Sequence, residues 1–252
     1  MAESIQSIHR ASQIMEAIAN HNNSISLTEL SKIVDLHKST VHRILGTLIE
    51  IGYVQQNQAN SHYELTIKLF EIGSSVIRNN NLTTLAKPYL RQLRDLSGEV
   101  VHLVVPDANE IVYIDKVESL HTLRMHSYVG KRSPMYCTAV GKAILSHQNR
   151  EKIEAYWRTI TPVKHTANTI IDLDAFIEEL SKIKASGISY DNEEHEKDIR
   201  CIGTTLHSFS GEVVAAISIS GPVQRMTDAH IDKLIPELLR VKQEISRELG
   251  RF

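Results

Sequence analysis

The chain has few cysteines, few aromatic residues and no long apolar run. Its 252 residues include two cysteines, Cys137 and Cys201, and a single tryptophan. Two cysteines cannot form the disulfide framework of a small secreted protein, so the sequence favours a reducing compartment and predicts a cytoplasmic location. No apolar stretch approaches the roughly 18 residues that a membrane-spanning helix needs, so we expect no membrane partner.

The chain has no excess of basic residues. The formal net charge is −2, and residues 1–75 contain five Lys or Arg against seven Asp or Glu. This composition excludes a strongly basic module that binds nucleic acid through bulk charge alone. Any DNA binding in this segment must depend on local positive charge, and we expect a homodimer or tetramer to supply part of the affinity. The length suits two modest domains with cores of their own.

The N-terminal part contains two short helical patterns separated by a turn. Ser26 and Glu29 have the spacing of a capping box, which predicts the start of the first helix. The second helix has an apolar stripe with the spacing of one buried face, formed by Val41, Ile44, Leu45 and Leu48. Its opposite face is polar and contains Lys38, Ser39, Thr40, His42, Arg43 and Thr47. Because these side chains suit phosphates and base edges in a major groove, we predict a helix-turn-helix that binds double-stranded operator DNA.

Two short extended segments follow this helix pair. Gly52–Val54 is predicted to end the second helix and begin one strand, and Tyr63–Leu65 to form its partner, with a polar loop from Gln55 to His62 between them. A helix pair followed by a hairpin predicts a winged helix-turn-helix over residues 1–66. The next segment has helical periodicity and ends at three asparagines, which predicts a linker helix over residues 67–81.

From about residue 82 the pattern changes to strands with helices between them. The predicted strands are Val100–Val105, Ile111–Val117, Ser189–Asp191, Ile199–His207 and Val213–Ser220, with a further strand around Leu123–Met125 and Tyr128-Val129. Neighbouring hairpin strands flanked by helices predict an α+β domain with an antiparallel sheet over residues 82–252.

One segment of this domain has the pattern of an anion site at a helix start. If Thr138 caps a helix, the amides of Ala139, Val140 and Gly141 are left without intrahelical partners and can receive a carboxylate. The small side chains allow a ligand to approach the backbone closely. A plain capped helix, packed through its Ala and Gly residues, explains the same pattern.

Two further segments contain polar groups at strand positions. Asp191 ends a strand and is a candidate acceptor for a ligand hydroxyl. Ser218 and Ser220 lie on one face of their strand, opposite an isoleucine pair, which is typical of a polar cavity rather than of a plain core. Glu194 and His195 are weak metal-ligand candidates because no second His or Cys stands at ligand spacing nearby, and we expect no metal and no cofactor.

Several of these stretches together resemble the IclR family of bacterial transcription regulators, over about Ile5 to the C-terminus. The matching stretches are Lys38–Arg43, Gly130–Met135, Thr138–Ala143, Glu193–His195, Arg200–Ile202 and Ser218–Pro222. The resemblance implies a winged helix-turn-helix, a linker helix and a C-terminal GAF-like domain that binds a small organic acid. It also implies a dimer or tetramer, and for many members a repressor.

The resemblance assigns the effector-contacting residues by position. They are Ala139, Val140, Asp191, Cys201, Ser218 and Ser220, with Met125 and Ile199 as apolar walls. Within the family, two stretches are most similar to the KdgR-type branch, which senses sugar-acid catabolites such as 2-keto-3-deoxygluconate. They are Leu65–Gly73 and Asp191–Glu194.

Two other classes of protein remain as alternatives. Cys137 or Cys201 with His195 could form a thiol–imidazole pair for acyl or carbonyl chemistry, although the sequence supplies no third, orienting group. We therefore expect no enzyme activity and no catalytic residues. A ligand-independent architectural DNA-binding protein would leave Ser218 and Ser220 without a role.

Overall fold

The computed structural model describes residues 5–78, 81–121, 127–208 and 210–250, with backbone alone for 74–78 and 81. The chain divides into two compact units, Met1–Asn80 and Asn81–Phe252. The predicted linker segment at 67–81 therefore groups mostly with the first unit, and the three-part division at residues 66 and 81 stays a prediction. In the described part of the chain, no helix is long and apolar enough to cross a membrane.

The first unit is a three-helix bundle with a hairpin and a further helix. Its elements are α1 (Gln6–Asn20), α2 (Leu27–Ile33), α3 (Lys38–Glu50), β1 (Val54–Gln56), β2 (Tyr63–Leu65) and α4 (Ile67–Arg78). The predicted capping box starts α2, since Ser26 Oγ accepts from the Glu29 amide at 3.3 Å and the Glu29 carboxylate accepts from the Ser26 amide at 3.4 Å. The apolar faces of α1 and α3 meet in the core of the unit at Ile18 and Leu45.

The change from helix to strand lies within Gly52–Val54, as predicted. The Tyr53 amide still donates to Leu48 O at 2.8 Å, so this residue closes α3 instead of pairing in a strand. The ladder therefore starts at Val54, and two glutamines assigned to the loop belong to β1. Ile25 exchanges two backbone hydrogen bonds with Tyr63 and joins the hairpin to the helices. The first unit is thus the predicted winged helix-turn-helix.

The second unit contains one antiparallel sheet with helices on both faces. Its helices are α5 (Asn81–Ser97), α6 (Ala139–Leu145), α7 (Arg150–Thr159), α8 (Leu173–Ser186) and α9 (Asp228–Leu249). Its strands are β3 (Val100–Asp107), β4 (Glu110–Val117), β5 (Arg132–Pro134), β6 (Ser189–Asn192), β7 (Ile199–His207) and β8 (Val213–Pro222). The strand order is β5-β4-β3-β8-β7-β6. Helices α5 and α9 contact one face and α6 the other, with α8 against α6 and α7 against α8, which confirms the predicted α+β class.

The edge of this sheet differs from the prediction. Tyr128 and Val129 are not in a strand, because the chain turns at Gly130, whose φ is +93°. The edge strand forms after that turn as β5, which pairs with β4. The other predicted segment, Leu123–Met125, lies outside the described residues, and with it the predicted wall residue Met125.

Candidate functional site

The predicted DNA-contacting residues all lie on α3, and its opposite face is buried. Lys38, Ser39, His42, Arg43 and Thr47 are exposed, whereas Thr40 is half-buried. The buried face consists of Val41, Leu45 and Leu48. The helix therefore presents five of the six predicted side chains to solvent and keeps its apolar stripe in the core, as a recognition helix requires.

A cavity lies between the start of α6 and the sheet in the second unit. It includes about 490 Å³ of space not filled by protein atoms, part of it at the open mouth. Its lining consists of His102, Tyr113, Ser127, Lys131, Thr138, Ala139, Val140, Asp191, His195, Glu196, Ile199, Cys201, Ser218 and Ser220. Seven of the eight predicted effector residues therefore lie together, and the eighth, Met125, is outside the described part of the chain.

Strand register explains why residues distant in sequence meet here. In the register of the sheet Asp191 lies opposite Cys201, and Cys201 lies opposite Ser220. In the next row Ser218 lies opposite His102. Paired residues of an antiparallel sheet share a face, so this polar set points together to the side of α6. The intervening isoleucines of β8 join the apolar core under α5 and α9, as the alternation predicts.

His102 is the centre of a buried polar cluster that the sequence reasoning missed. Its Nε2 lies 2.8 Å from Ser127 Oγ, and its Nδ1 lies 3.4 Å from both Ser218 Oγ and Ser220 Oγ. The edge of its ring meets Tyr113, with ring centroids 4.9 Å apart. Burial lowers the pKa of His102 to about 3, with Lys116 and Lys131 acting in the same direction. The imidazole is neutral near pH 7 and can act as both donor and acceptor.

Asp191 is buried beside this cluster with one oxygen already used. Its Oδ1 accepts hydrogen bonds from the amides of Glu194 at 2.7 Å and His195 at 3.3 Å. Burial raises the pKa of Asp191 from 3.8 to about 7, an effect that the amide hydrogen bonds and Lys142 oppose. The carboxyl group therefore gains and loses its proton near neutral pH.

The start of α6 differs in one detail from the predicted carboxylate seat. Thr138 Oγ1 accepts from the Gly141 amide at 3.3 Å, so this amide serves the cap and is not available to a ligand. The amides of Ala139 and Val140 remain as those that neither the cap nor the first helical hydrogen bond uses. A Cβ at Gly141 would lie 2.3 Å from Met135 Cα, so the tight turn into the helix requires glycine.

A buried ion pair lies behind the cavity wall. Lys142 is fully buried, and its Nζ contacts the carboxylates of Glu194 and, at 3.3 Å, Glu179. Burial raises the pKa of Glu194, an effect that Lys142 opposes. This pairing occupies a carboxylate considered as a metal ligand, and the described residues contain no cluster of three or more potential ligands.

Neither cysteine has the environment of a nucleophile. Burial, with Asp191 as the next cause, raises the pKa of Cys137 to about 12 and the pKa of Cys201 well above its ordinary value of 9.0. A thiol attacks as the thiolate, and low-pKa cysteines lie in electropositive surroundings. Cys201 and His195 do line the same cavity. Burial and the nearby Asp191 carboxylate nevertheless disfavour the thiolate that thiol catalysis needs.

Some lining residues left a signal in the sequence and others did not. His102 interrupts an apolar strand run, and a lone polar residue on an otherwise apolar strand is a recognisable sign of a cavity. Lys131 belongs to the stretch Gly130–Met135 that supported the family resemblance. Ser127 was not singled out, although the predicted wall residue Met125 lies two positions before it.

Comparison with known proteins agrees with this architecture. Residues 7–58 match the IclR helix-turn-helix domain, and residues 74–247 match the domain described as bacterial transcriptional regulator IclR C-terminal. The HTH-type transcriptional regulator KdgR of Escherichia coli strain K12 is 34% identical over 248 residues, covering 98% of this chain and 94% of that protein.

Two further relatives extend the comparison. The transcriptional repressor IclR of Escherichia coli strain K12 is 32% identical, with 98% of this chain and 90% of that protein covered. The crystal structure of Thermotoga maritima IclR superposes with a TM-score of 0.81 at 32% identity, covering 98% of this chain and 100% of that one. KdgR and IclR of Escherichia coli are regulators of transcription. The chain belongs to the IclR family of bacterial DNA-binding transcriptional regulators.

Proposed function

We propose that this regulator is a repressor whose operator binding changes when a small organic acid occupies the cavity of the second unit. The effector class we propose is a sugar-acid catabolite such as 2-keto-3-deoxygluconate. The observation that supports this most is the row of polar side chains from β3 and β8, buried in a sheet whose other face is apolar. Buried polar groups cost free energy unless they are hydrogen-bonded, and the long 3.4 Å contacts of His102 Nδ1 with the two serine hydroxyls leave these groups able to bind a ligand.

The lining suggests how such an acid binds. Its carboxylate accepts hydrogen bonds from the amides of Ala139 and Val140, and Lys131 supplies positive charge at the cavity wall. The hydroxyls of Ser218 and Ser220 bind the 2-oxo or hydroxyl oxygens, with neutral His102 behind them. Asp191 accepts a hydrogen bond from a hydroxyl further along the ligand. Ile199 and Cys201 form a less polar wall, and we assign Met125 to the same wall from the sequence alone.

On the DNA side we assign base contacts to Ser39, Thr40 and Arg43, with His42 and Thr47 on the same face. Lys38 and the wing contact phosphates. A dimer then reads two half-sites whose spacing follows from its symmetry. Exposed apolar side chains at the N-terminal end of α1 and on α4 support a homodimer or tetramer, namely the N-cap residue Ile5 with Ile8, Ile67 and Phe70.

A thermal-shift panel of 2-oxo acids, aldonates, uronates and aromatic acids tests the effector assignment. A ligand at about 100 times its dissociation constant stabilises the folded state by roughly 2.7 kcal/mol. For a unit of this size we expect a rise in melting temperature of about 5–10 °C. A selective shift by a sugar-derived 2-oxo acid supports the proposal, and a flat panel contradicts it.

Serine variants locate the site of binding. Ser218→Ala removes a hydroxyl that we place on the 2-oxo or hydroxyl oxygens of the ligand and should weaken binding of the acid about two- to tenfold, since a hydrogen bond between neutral groups contributes about 0.5–1.5 kcal/mol. Ser181→Ala, on the exposed face of α8, is the matched control and should bind like the wild type. Equal loss in both variants would contradict this placement.

DNA selection separates the regulator from the architectural alternative. Duplexes enriched from a random pool should share a palindromic sequence, and the acid found in the panel should change their affinity. Enrichment without a common sequence, together with a flat panel, would favour an architectural protein.

A further inference from the structure

The ion pair behind the cavity joins the two segments that supply its opposing polar groups. Lys142 lies on α6, three residues after Ala139, and Glu194 lies three residues after Asp191. The Glu194 amide also donates to Asp191 Oδ1 at 2.7 Å. The residue that pairs with Lys142 of α6 therefore also holds the Asp191 carboxyl through its backbone amide. Neither Lys142 nor Glu194 lines the cavity, so a ligand in the cavity does not account for them.

The loop that contains Glu194 is held from its other side by a separate segment. Thr169 Oγ1 donates to Glu194 O at 2.7 Å, and Thr166 Oγ1 donates to Glu193 O at 2.5 Å. These bonds restrain the backbone of the loop from one side, and Lys142 restrains it from the direction of α6 through the side chain of Glu194. The loop is thus held from two sides, and the ion pair connects it to α6, whose first residues line the cavity.

Packing alone does not explain a fully buried lysine. Removing two charges from water costs free energy that their attraction repays only in part, and apolar replacements of buried ion pairs are often neutral or stabilising. Glu194 Oε2 is buried without a hydrogen-bond partner among the described residues, which adds to the cost. Stability alone therefore does not account for these two buried charges.

We propose that the Lys142–Glu194 ion pair is a positioning element that fixes the separation between the Ala139–Val140 wall and the Asp191 carboxyl, and thereby selects effector acids by chain length. This inference rests on the proposed function, because it requires that one acid contacts both groups. An acid that is too short reaches one of them, and an acid that is too long does not fit between them. Loosening the separation should therefore weaken selectivity as well as affinity.

The test compares 2-oxo acids of increasing length on the wild type and on the double variant Lys142→Met, Glu194→Gln. The probes are glyoxylate, pyruvate, 2-oxobutyrate and 2-keto-3-deoxygluconate, and the measurement is isothermal titration calorimetry on the full chain. We expect the wild type to prefer one length by about tenfold or more. The double variant should bind that acid about tenfold more weakly, with the differences between lengths reduced to about threefold.

The Glu99–Arg225 ion pair provides the matched control. Glu99 is buried and accepts two hydrogen bonds from Arg225, and neither residue lines the cavity. The double variant Glu99→Gln, Arg225→Met should change the melting temperature and keep the length preference of the wild type. A loss of preference in both double variants would show a general effect of stability and overturn the proposal.

A second readout uses Cys201, which lines the cavity and pairs with Asp191 in the sheet register. In a Cys137→Ser background, iodoacetamide should alkylate Cys201 about fivefold faster when Lys142 and Glu194 are replaced, because a loosened loop opens more often. Length preference within twofold of the wild type would overturn the proposal whatever the alkylation rate. If the wild type binds none of the acids, the proposed effector class fails and this inference fails with it. If the wild type binds and the double variant is unchanged, the inference alone fails.

Discussion

At the scale of single residues, folding shifts the pKa values of two buried groups in the cavity in opposite directions. Burial raises the pKa of Asp191 from 3.8 to about 7, so the folded state holds this proton more tightly and the stabilisation is lost as pH rises from about 4 to 7. Burial lowers the pKa of His102 from 6.5 to about 3, so its contribution grows with pH over about 3 to 6.5. In the wild type, these two contributions to the pH dependence of the unfolding free energy oppose each other.

Asp191→Asn removes the part of this pH dependence that comes from the Asp191 carboxyl. The unfolding free energy of the variant minus that of the wild type should increase with pH between about 4 and 7, by at most about 1.4 kcal/mol per pH unit. Urea unfolding at several pH values measures it, and the fluorescence of Trp157, the single tryptophan, reports on the second unit. A difference that does not vary with pH would show that Asp191 titrates alike in both states.

Steric crowding in the turn into α6 leaves no room for a side chain at Gly141. A Cβ here would lie within 2.6 Å of Met135 Cα, Met135 O and Thr138 Oγ1, two of which are backbone atoms that cannot turn aside. Gly141→Ala should therefore lower the unfolding free energy by about 3 kcal/mol, at the upper end of overpacking costs. Gly46→Ala is the control, since no atom outside its own helix lies within 4 Å. Thermal melts of the two variants separate packing from glycine flexibility, and equal melting temperatures would contradict the expectation.

At the scale of elements, α3 separates its two roles by face. Arg43→Ala removes an exposed side chain and leaves the buried stripe intact. We expect operator affinity to fall by about 1–3 kcal/mol, with relaxed preference at the contacted position. Fluorescence anisotropy on a selected duplex measures this loss. Arg158→Ala, exposed on α7 in the second unit, should bind the duplex like the wild type, and unchanged affinity in Arg43→Ala would remove α3 from the recognition surface.

The elements also show how much of this molecule could be predicted from sequence. The start of α2 was predictable because a capping box is local, and the polar face of β8 was predictable because alternation in a strand is local. The cluster around His102 was not, because it depends on pairing between residues more than a hundred positions apart. The edge strand β5 was missed because its sequence, Arg132-Ser133-Pro134, lacks the β-branched and aromatic residues that indicate a strand.

At the scale of the whole molecule, effector and operator must affect each other equally. If the acid weakens operator binding by some factor, operator DNA weakens acid binding by the same factor, with typical coupling of about 1–3 kcal/mol. Calorimetric titration of the acid into free protein and into the protein–DNA complex gives the two dissociation constants of the acid, and their ratio is the coupling factor. Equal acid affinity in the two titrations would show that the cavity does not regulate DNA binding.

Self-association is the second prediction at this scale. Phe70 on α4 is 69% exposed and Ile67 is 70% exposed, so we expect the Phe70→Glu variant to associate more weakly and to bind a palindromic duplex at least about tenfold less tightly. Sedimentation velocity measures the association, and Glu71→Gln, exposed on the same helix, is the control. A variant that stays dimeric would place the interface elsewhere.

The pairing of β3 with β8 has a consequence for the order in which the chain acquires structure. Val100 pairs with Ser220, so the floor of the cavity closes only after the last strand has been synthesised. The winged helix-turn-helix is complete within the first 80 residues and depends on nearby contacts, which form quickly. A nascent chain therefore gains its DNA-reading surface well before it gains its effector cavity, and a truncated chain that lacks β8 keeps the first and loses the second.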